Sequence, residues 1–446
     1  MIVTGRLVLL QVAGVVPALI WQSASVVWLW TLGVALVAAI DATVAVSPKR
    51  LRIQGAPPAT ARLGQPSSSM LTVRNLAKRT ARAKVRDLWV PSAGAVENIH
   101  RIRLRAGDGT RVSTPLLPSR RGDLPAGPIA VRTYGPLGLA GRARTFPREQ
   151  ALRVLPAFTS RRHLPSRLAR LREMDGRSAV QVRGEGTEFD SLREYVIGDD
   201  VRSIDWRATA RRSEVVVRTW RPERDRRVLL IVDAGRTSAV RVEGGTRLDA
   251  GIEATLLLTA LASHAGDRVD VVAFDRDLLG VTATSKADSA LASVADGLAG
   301  VEPMLVETGW ETIARWVQTH HRQPSLIVLV TGLETAAIEA GLLPVLPALT
   351  QRHRVVLASA ATSDGGPWHS AAATDAVPRG DAAPSGADEP PADAFELAAF
   401  LRSELDRAAI SAELGRLGVS VIDAPGEQLA PRLADRYLEL KSSGQL

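Results

Sequence analysis

Residues 184–221 hold the densest set of groups able to do chemistry in this sequence. Arg193, Arg202 and Arg207 alternate there with Asp199, Asp200 and Asp205, and Tyr195 and Trp206 stand beside them. A guanidinium and a carboxylate make a forked, charge-assisted pair, which holds a loop in one geometry. Two roles fit such a segment: a rigid loop presenting Arg and Trp to another protein, or a clasp between neighbouring domains. Catalysis fits less well, because no base, nucleophile or metal-ligand set accompanies the aspartates. Asp200 is placed to cap a short helix starting at Val201, since its carboxylate can accept free N–H groups of the first turn. Ile204 and Ala208 would then share one face of that helix. Val215-Val216-Val217 with Trp220 reads as a strand.

Elsewhere the usual catalytic patterns are missing. The chain has no cysteine, so thiol chemistry, thiolate metal sites and disulfides are excluded. None of the five lysines (Lys49, Lys78, Lys84, Lys286 and Lys441) follows a glycine, so there is no phosphate-binding Gly-Lys-Ser/Thr loop. His320 and His321 are adjacent, and on a helix they point in different directions. No Gly-x-Ser-x-Gly elbow occurs. The chain is expected not to be an enzyme and to need no cofactor; an uncharacterised hydrolase is the weaker alternative.

The elements that must position these residues divide the chain. From Arg227, apolar strands alternate with helices: strands at 228–233, 269–275, 326–330, 355–358 and 419–422, and helices near 248–264, 288–298, 311–321, 395–417 and 428–440. Continuous apolar strands of this kind lie in a mostly parallel sheet covered on both faces. Ligands of such sheets sit at the carboxyl ends of the strands. The stretch 361–392 is rich in Ala, Pro, Gly, Asp and Ser and is expected to be a disordered loop.

Ahead of this, residues 49–156 show short runs of period two, among them Leu71–Asn75, Ala83–Val90, Ile102–Leu104 and Ile129–Arg132. Turns are expected at Pro118–Gly122 and Gly135–Leu139. That pattern predicts a small all-β sandwich of immunoglobulin-like type. Between Arg6 and Asp41 nothing is charged. One straight helix of that length would reach about 50 Å, against a hydrocarbon core of about 30 Å. The polar Gln22–Ser25 offers a turn, so a membrane hairpin is predicted with arms at 7–21 and 26–40. Arg6, Lys49, Arg50 and Arg52 then flank it on one side, which the positive-inside rule makes cytoplasmic. A single tilted span is the rival.

The chain of 446 residues is 46% hydrophobic, with a formal charge of +9. The arginines read as interleaved with acids, for intraprotein pairs and some attraction to lipid headgroups rather than for nucleic acid.

With the segment 184–221 running into a strand that ends at Asp233, the sequence resembles domain-of-unknown-function family 58. The likeness embraces the hairpin, the β region, the Arg–Tyr–Asp-Asp–Arg–Asp-Trp segment and a von Willebrand A-like, Rossmann-like α/β domain. The four parts would be 1–48, 49–156, 157–226 and 227–446. The resemblance implies association with a MoxR-type AAA+ ATPase in assembling or maturing client proteins, so the expected role is a membrane-anchored scaffold. It also implies a strand-end site of Asp233, Thr237 and Thr308 for Mg²⁺. That set is depleted here: Gly235 has no side chain, Thr331-Gly332 stands where a second Asp is wanted, and Glu334 is displaced. A Mg²⁺-dependent adhesion module is the alternative function.

Overall fold

The computed structural model describes residues 2–181, 188–196, 199–212, 214–221, 226–242, 244–283, 287–361 and 392–446. The loop expected at 361–392 lies almost wholly outside them. The chain divides into two compact units, 1–157 and 158–446. The hairpin and β strands, read separately in the sequence, fall in the first; the Arg–Asp segment and α/β domain fall in the second.

The first unit begins with β1 (Ile2–Val3), followed by the helices α1 (Gly5–Ala13), α2 (Val15–Trp21) and α3 (Ala24–Val44). Gln22, between α2 and α3, takes a left-handed conformation, φ 45°, and reverses the chain. Pro17 lacks an N–H to continue the ladder, and the first arm is broken at Gly14. The arms meet through Trp30 Nε1, which donates to Leu10 O at 3.1 Å, and Gln11 Nε2, which donates to Thr31 Oγ1 at 2.9 Å. Among the described residues, one helix is long and apolar enough to cross a membrane. The expected arms were too short. The second runs to Val44, about 31 Å at 1.5 Å per residue, because Asp41 does not end it.

Asp41 is buried, and its carboxylate accepts three backbone N–H groups: Leu137 at 2.9 Å, Leu139 at 2.8 Å and Ala140 at 3.0 Å. A β-carbon at Gly135 would overlap that carboxylate, so only glycine fits there. The other end of the hairpin is held by the same turn. Thr4 N and Thr4 Oγ1 donate to Leu139 O and Gly138 O, and Arg142 Nε donates to Ala42 O. Both ends therefore stand on one side, the geometry of a hairpin and not of a single span.

Nine strands follow: β2 (Leu51–Ala56), β3 (Ala61–Arg62), β4 (Ser67–Asn75), β5 (Ala81–Trp89), β6 (Ile99–Leu104), β7 (Gly109–Leu116), β8 (Gly122–Tyr134), β9 (Ala140–Phe146) and β10 (Ala151–Leu155). β2, β4 and β7 form one sheet; the others join β1 in a seven-stranded sheet. Leu71 and Val73 from the first sheet pack with Val85, Ile129 and Val131 from the second, which makes a sandwich. Every second residue of β4 and β5 is buried, the period expected of half-buried strands.

The second unit holds α4 (Leu164–Gln181), the hairpin of β11 (Glu188–Glu194) and β12 (Val216–Arg221), and between them α5 (Trp206–Arg212). Then come β13 (Arg227–Asp233), a clasp of β14 (Arg241–Val242) and β15 (Gly245–Thr246), α6 (Arg247–His264), β16 (Arg268–Phe274), β17 (Leu278–Ala283), α7 (Ala287–Ala299), α8 (Trp310–His320) and β18 (Leu326–Val330). Short helical turns follow, α9 (Thr335–Ala337) and α10 (Leu346–Thr350), then β19 (Arg354–Ala361), α11 (Ala392–Arg416), β20 (Ser420–Pro425) and α12 (Gly426–Ser442). The sheet runs β17-β16-β13-β18-β19-β20, parallel except for β17 at its edge. Val228, Leu230 and Val232 enter one core with α6 and α12, while Leu229 and Ile231 enter the other with α8. A strand buried on both faces is apolar at every position.

Candidate functional site

The Arg–Asp segment is a frame that carries an exposed surface. Arg193 grips Asp199 with both η nitrogens, at 2.7 and 2.6 Å, and Asp199 also accepts Val196 N. The bond to Asp199 raises the Arg193 pKa above its ordinary value. Tyr195 N donates to Val215 O, tying the strand before the loop to the residue preceding β12. Asp200 caps a single 3₁₀ turn at Val201–Ser203 by accepting Arg202 N at 2.9 Å. The helix expected to run on from there does not: Ile204 bridges to Val217, and α5 starts afresh at Trp206. Asp205 is its cap, accepting Arg207 N and Ala208 N at 3.0 Å, while Arg218 Nε donates to its other oxygen at 2.9 Å. The Ala208 N–H, then Arg218, hold the Asp205 carboxyl below the usual range.

Two of the arginines grouped with these acids in the sequence therefore have a different place. Arg202 and Arg207 are exposed, and no described ion pair includes them. Around them Val196, Val201 and Trp206 are 60%, 64% and 69% exposed. Arg218, one strand away, is the partner that charge spacing did not reveal.

Asp233 ends β13 at the middle of the α/β sheet, where the chain has wound outwards to β16 and then returns on the other side at β18. In open sheets that switch point is the ligand crevice. Here it is closed. Thr331, at the end of β18, donates to Asp233 Oδ2 at 2.6 Å, and Thr237 Oγ1 to the same oxygen at 3.2 Å. Thr308 Oγ1 and Gly235 N donate to Oδ1 at 3.0 and 2.8 Å. Thr308 is placed by its loop, through Arg236 N to Val306 O and Gly309 N to Asp275 O. Burial pushes the Asp233 carboxyl up, and its donors, Thr331 foremost, pull it back.

A buried cation completes this end of the sheet. Thr246 and Asp249 form a reciprocal capping box that fixes the start of α6, and so places Arg247. Its Nε donates to Ala360 O at 3.0 Å, and its Nη1 to Thr237 O at 2.6 Å and Glu334 Oε1 at 2.5 Å.

Residues 191–362 match the family model described as Protein of unknown function DUF58. The match takes in the Arg–Asp segment and much of the α/β domain, less than half of the chain. Solved structures are similar only in part. The PapD-like domain 7 of human CEP192 is 18% identical, covering 25% of this chain and 94% of its own, with a TM-score of 0.18. A CARDB domain from Pyrococcus furiosus is 14% identical, covering 24% and 87%, with a TM-score of 0.18. The SpRpn10 VWA domain is 10% identical, covering 47% and 94%, with a TM-score of 0.27. No curated protein matches the chain.

Within the matched residues the three named for Mg²⁺ do come together, with Asp233 as the one carboxylate among them. A β-carbon at Gly235 would overlap Thr308 Oγ1, so the position that would carry a further ligand side chain has no room for one. Glu334 is turned to Arg247 instead. Among the described residues no three His, Asp or Glu side chains gather as metal ligands. Thr331 and Arg247 were not singled out as members of this site in the sequence. Thr331 had registered only as a missing carboxylate, and Arg247 had no motif around it.

At the opposite ends of the strands, His321 and His353 are 5% and 7% exposed. Burial lowers the pKa of both rings. Arg227 and His320 add to the effect at His321, against Asp270, while His321 and Arg352 add to it at His353. The unfolded rings protonate near 6.5, so below that pH the unfolded chain binds more protons than the folded one. Their contribution is complete above pH 6.5 and shrinks as pH falls towards the folded values. The urea midpoint is expected to drop between pH 7.5 and 5, and less in His353→Leu. Asp233 acts in the opposite sense, so the difference between the two proteins reports the histidine. Identical pH dependence in both would refute the expectation.

Proposed function

We propose that this chain is a non-enzymatic, membrane-anchored scaffold. Its hairpin lies in the bilayer through residues 7–40, and the positive flank of Arg6, Lys49, Arg50 and Arg52 keeps the bulk of the chain cytoplasmic. The α/β domain is von Willebrand A-like and binds other proteins, with a MoxR-type AAA+ ATPase as the partner that hydrolyses ATP during assembly or maturation of a client. The observation that carries the binding role is the exposed surface of Val196, Val201, Arg202, Trp206 and Arg207, on a loop held by two carboxylate pairs that include neither of its arginines. An exposed Trp between two arginines is the composition of an interface hot spot. The alternative, a Mg²⁺-dependent adhesion module, would rest on the depleted set of Asp233, Thr237 and Thr308.

The test is co-purification of the ATPase and client with the full-length protein carrying Arg202→Glu and Trp206→Ala. Capture should fall by about tenfold or more, with the circular dichroism spectrum unchanged. Undiminished capture would remove this surface from the reading.

A further inference from the structure

The formal charge of +9 is the sum of two unlike parts. Residues 1–157 hold 22 basic and 6 acidic residues, a net of +16, while residues 158–446 carry −7. The arginines are thus not interleaved with acids along the whole chain, as first read. Two of the six acids, Asp41 and Asp87, are buried.

The strand register shows where the excess goes. On the outer face of the seven-stranded sheet, Arg103 stands opposite Arg82, which stands opposite Tyr134. In the next row Arg101, Lys84 and Arg132 stand side by side, and in the third Ile99, Arg86 and Ala130. All six cations are exposed or half-buried, and no described ion pair includes any of them. With strands about 4.8 Å apart and about 6.8 Å between same-face residues, the patch measures roughly 10 by 14 Å. Like charges directly opposite one another disfavour the sheet, so folding gives no reason for this arrangement.

Its position does. The first row adjoins the turn 135–139 into which Asp41 is plugged, and Arg82 Nη1 donates to Pro136 O at 2.9 Å. Gly141 extends the same row to Ile2, three residues before α1. The headgroup layer is about 5–8 Å deep, so the first row lies within it once the hairpin is in lipid. The second and third rows are within about one to two Debye lengths of about 8 Å.

We propose that this face of the sandwich binds the anionic headgroups of the leaflet from which the hairpin enters. The proposal rests on the reading of residues 7–40 as lying in the bilayer. Guanidinium forks suit lipid phosphates, and six of these cations act together on a surface where a single one is weak.

The chain has no cysteine, so Ala143→Cys, beside Arg132 in the second row, takes one fluorophore. The full-length protein is placed in nanodiscs of phosphatidylcholine alone or with about 30% phosphatidylglycerol, both containing a nitroxide-headgroup lipid. Quenching should be roughly threefold stronger in the anionic discs and fall to the neutral level near 1 M salt, where the screening length is about 3 Å. Arg82→Gln, Lys84→Gln, Arg101→Gln and Arg132→Gln together should abolish the difference, and Arg82→Lys, Arg101→Lys and Arg132→Lys together should keep it. Equal quenching in both discs overturns this proposal alone, as does a Gln variant that behaves like the parent. A chain that does not enter discs overturns it together with the membrane reading. If duplex DNA displaces the signal far below the concentration at which phosphatidylglycerol vesicles do, the face is a nucleic-acid site and the lipid proposal fails.

Discussion

Asp41→Ala is expected to loosen the hairpin from the β strands and to lower the stability of the first unit more than any surface change. The substitution leaves the N–H groups of Leu137, Leu139 and Ala140 without their acceptor, that of Ala140 buried and the other two partly so. An orphaned buried donor costs about 1–3 kcal/mol and the two partly buried ones add less, so the loss is roughly 2–4 kcal/mol. It also leaves the turn that Gly135 opens for the carboxylate without its filling. Thermal unfolding in detergent reads the effect, and Asp41→Asn, which keeps one carbonyl acceptor, should fall between. A melting curve for Asp41→Ala that overlays the parent would mean that the strand pairing of β1 and the Thr4 bonds suffice without it.

Arg247→Met should have the next largest effect, in the other unit. The side chain is 5% exposed and binds two carbonyls and a carboxylate. Methionine fills much of the space and satisfies none of them. Glu334 is 40% exposed and can turn to water, so its share is small. The stranded carbonyls of Thr237 and Ala360, and the loss of the fork joining them, put the cost at roughly 2–4 kcal/mol in urea unfolding. Mg²⁺ should restore none of it, nor raise the unfolding temperature of the unaltered protein. Rescue by Mg²⁺ would show that a metal can take over from the guanidinium, and the closed reading of this strand end would be lost.

What the sequence revealed of this architecture depended on burial. Val228–Asp233 and Leu326–Val330 were legible because a strand covered on both faces has no polar position to blur it. β17 was not, since its residues are mostly exposed at the sheet edge and no period marks them. The helical turns of residues 335–350 were also missed, being too short for a period of 3.6 and interrupted by Pro344 and Pro347. In the Arg–Asp segment, composition showed that pairs must form but not which. Arg193 and Asp199 are six residues apart within one loop, whereas Arg218 reaches Asp205 only because β12 folds back beside it. Around Asp233 the direction of reasoning was reversed: searching for oxygen ligands made Thr331 an absence, when in the folded chain it is the nearest donor.

Because one turn grips both ends of the hairpin, no slack tether separates the lipid-seeking helices from the sandwich. Force applied to those strands would reach the helices directly, rather than being spent in uncoiling a linker. A tug on those strands would therefore load the helices at once, as a handle riveted to a plate does.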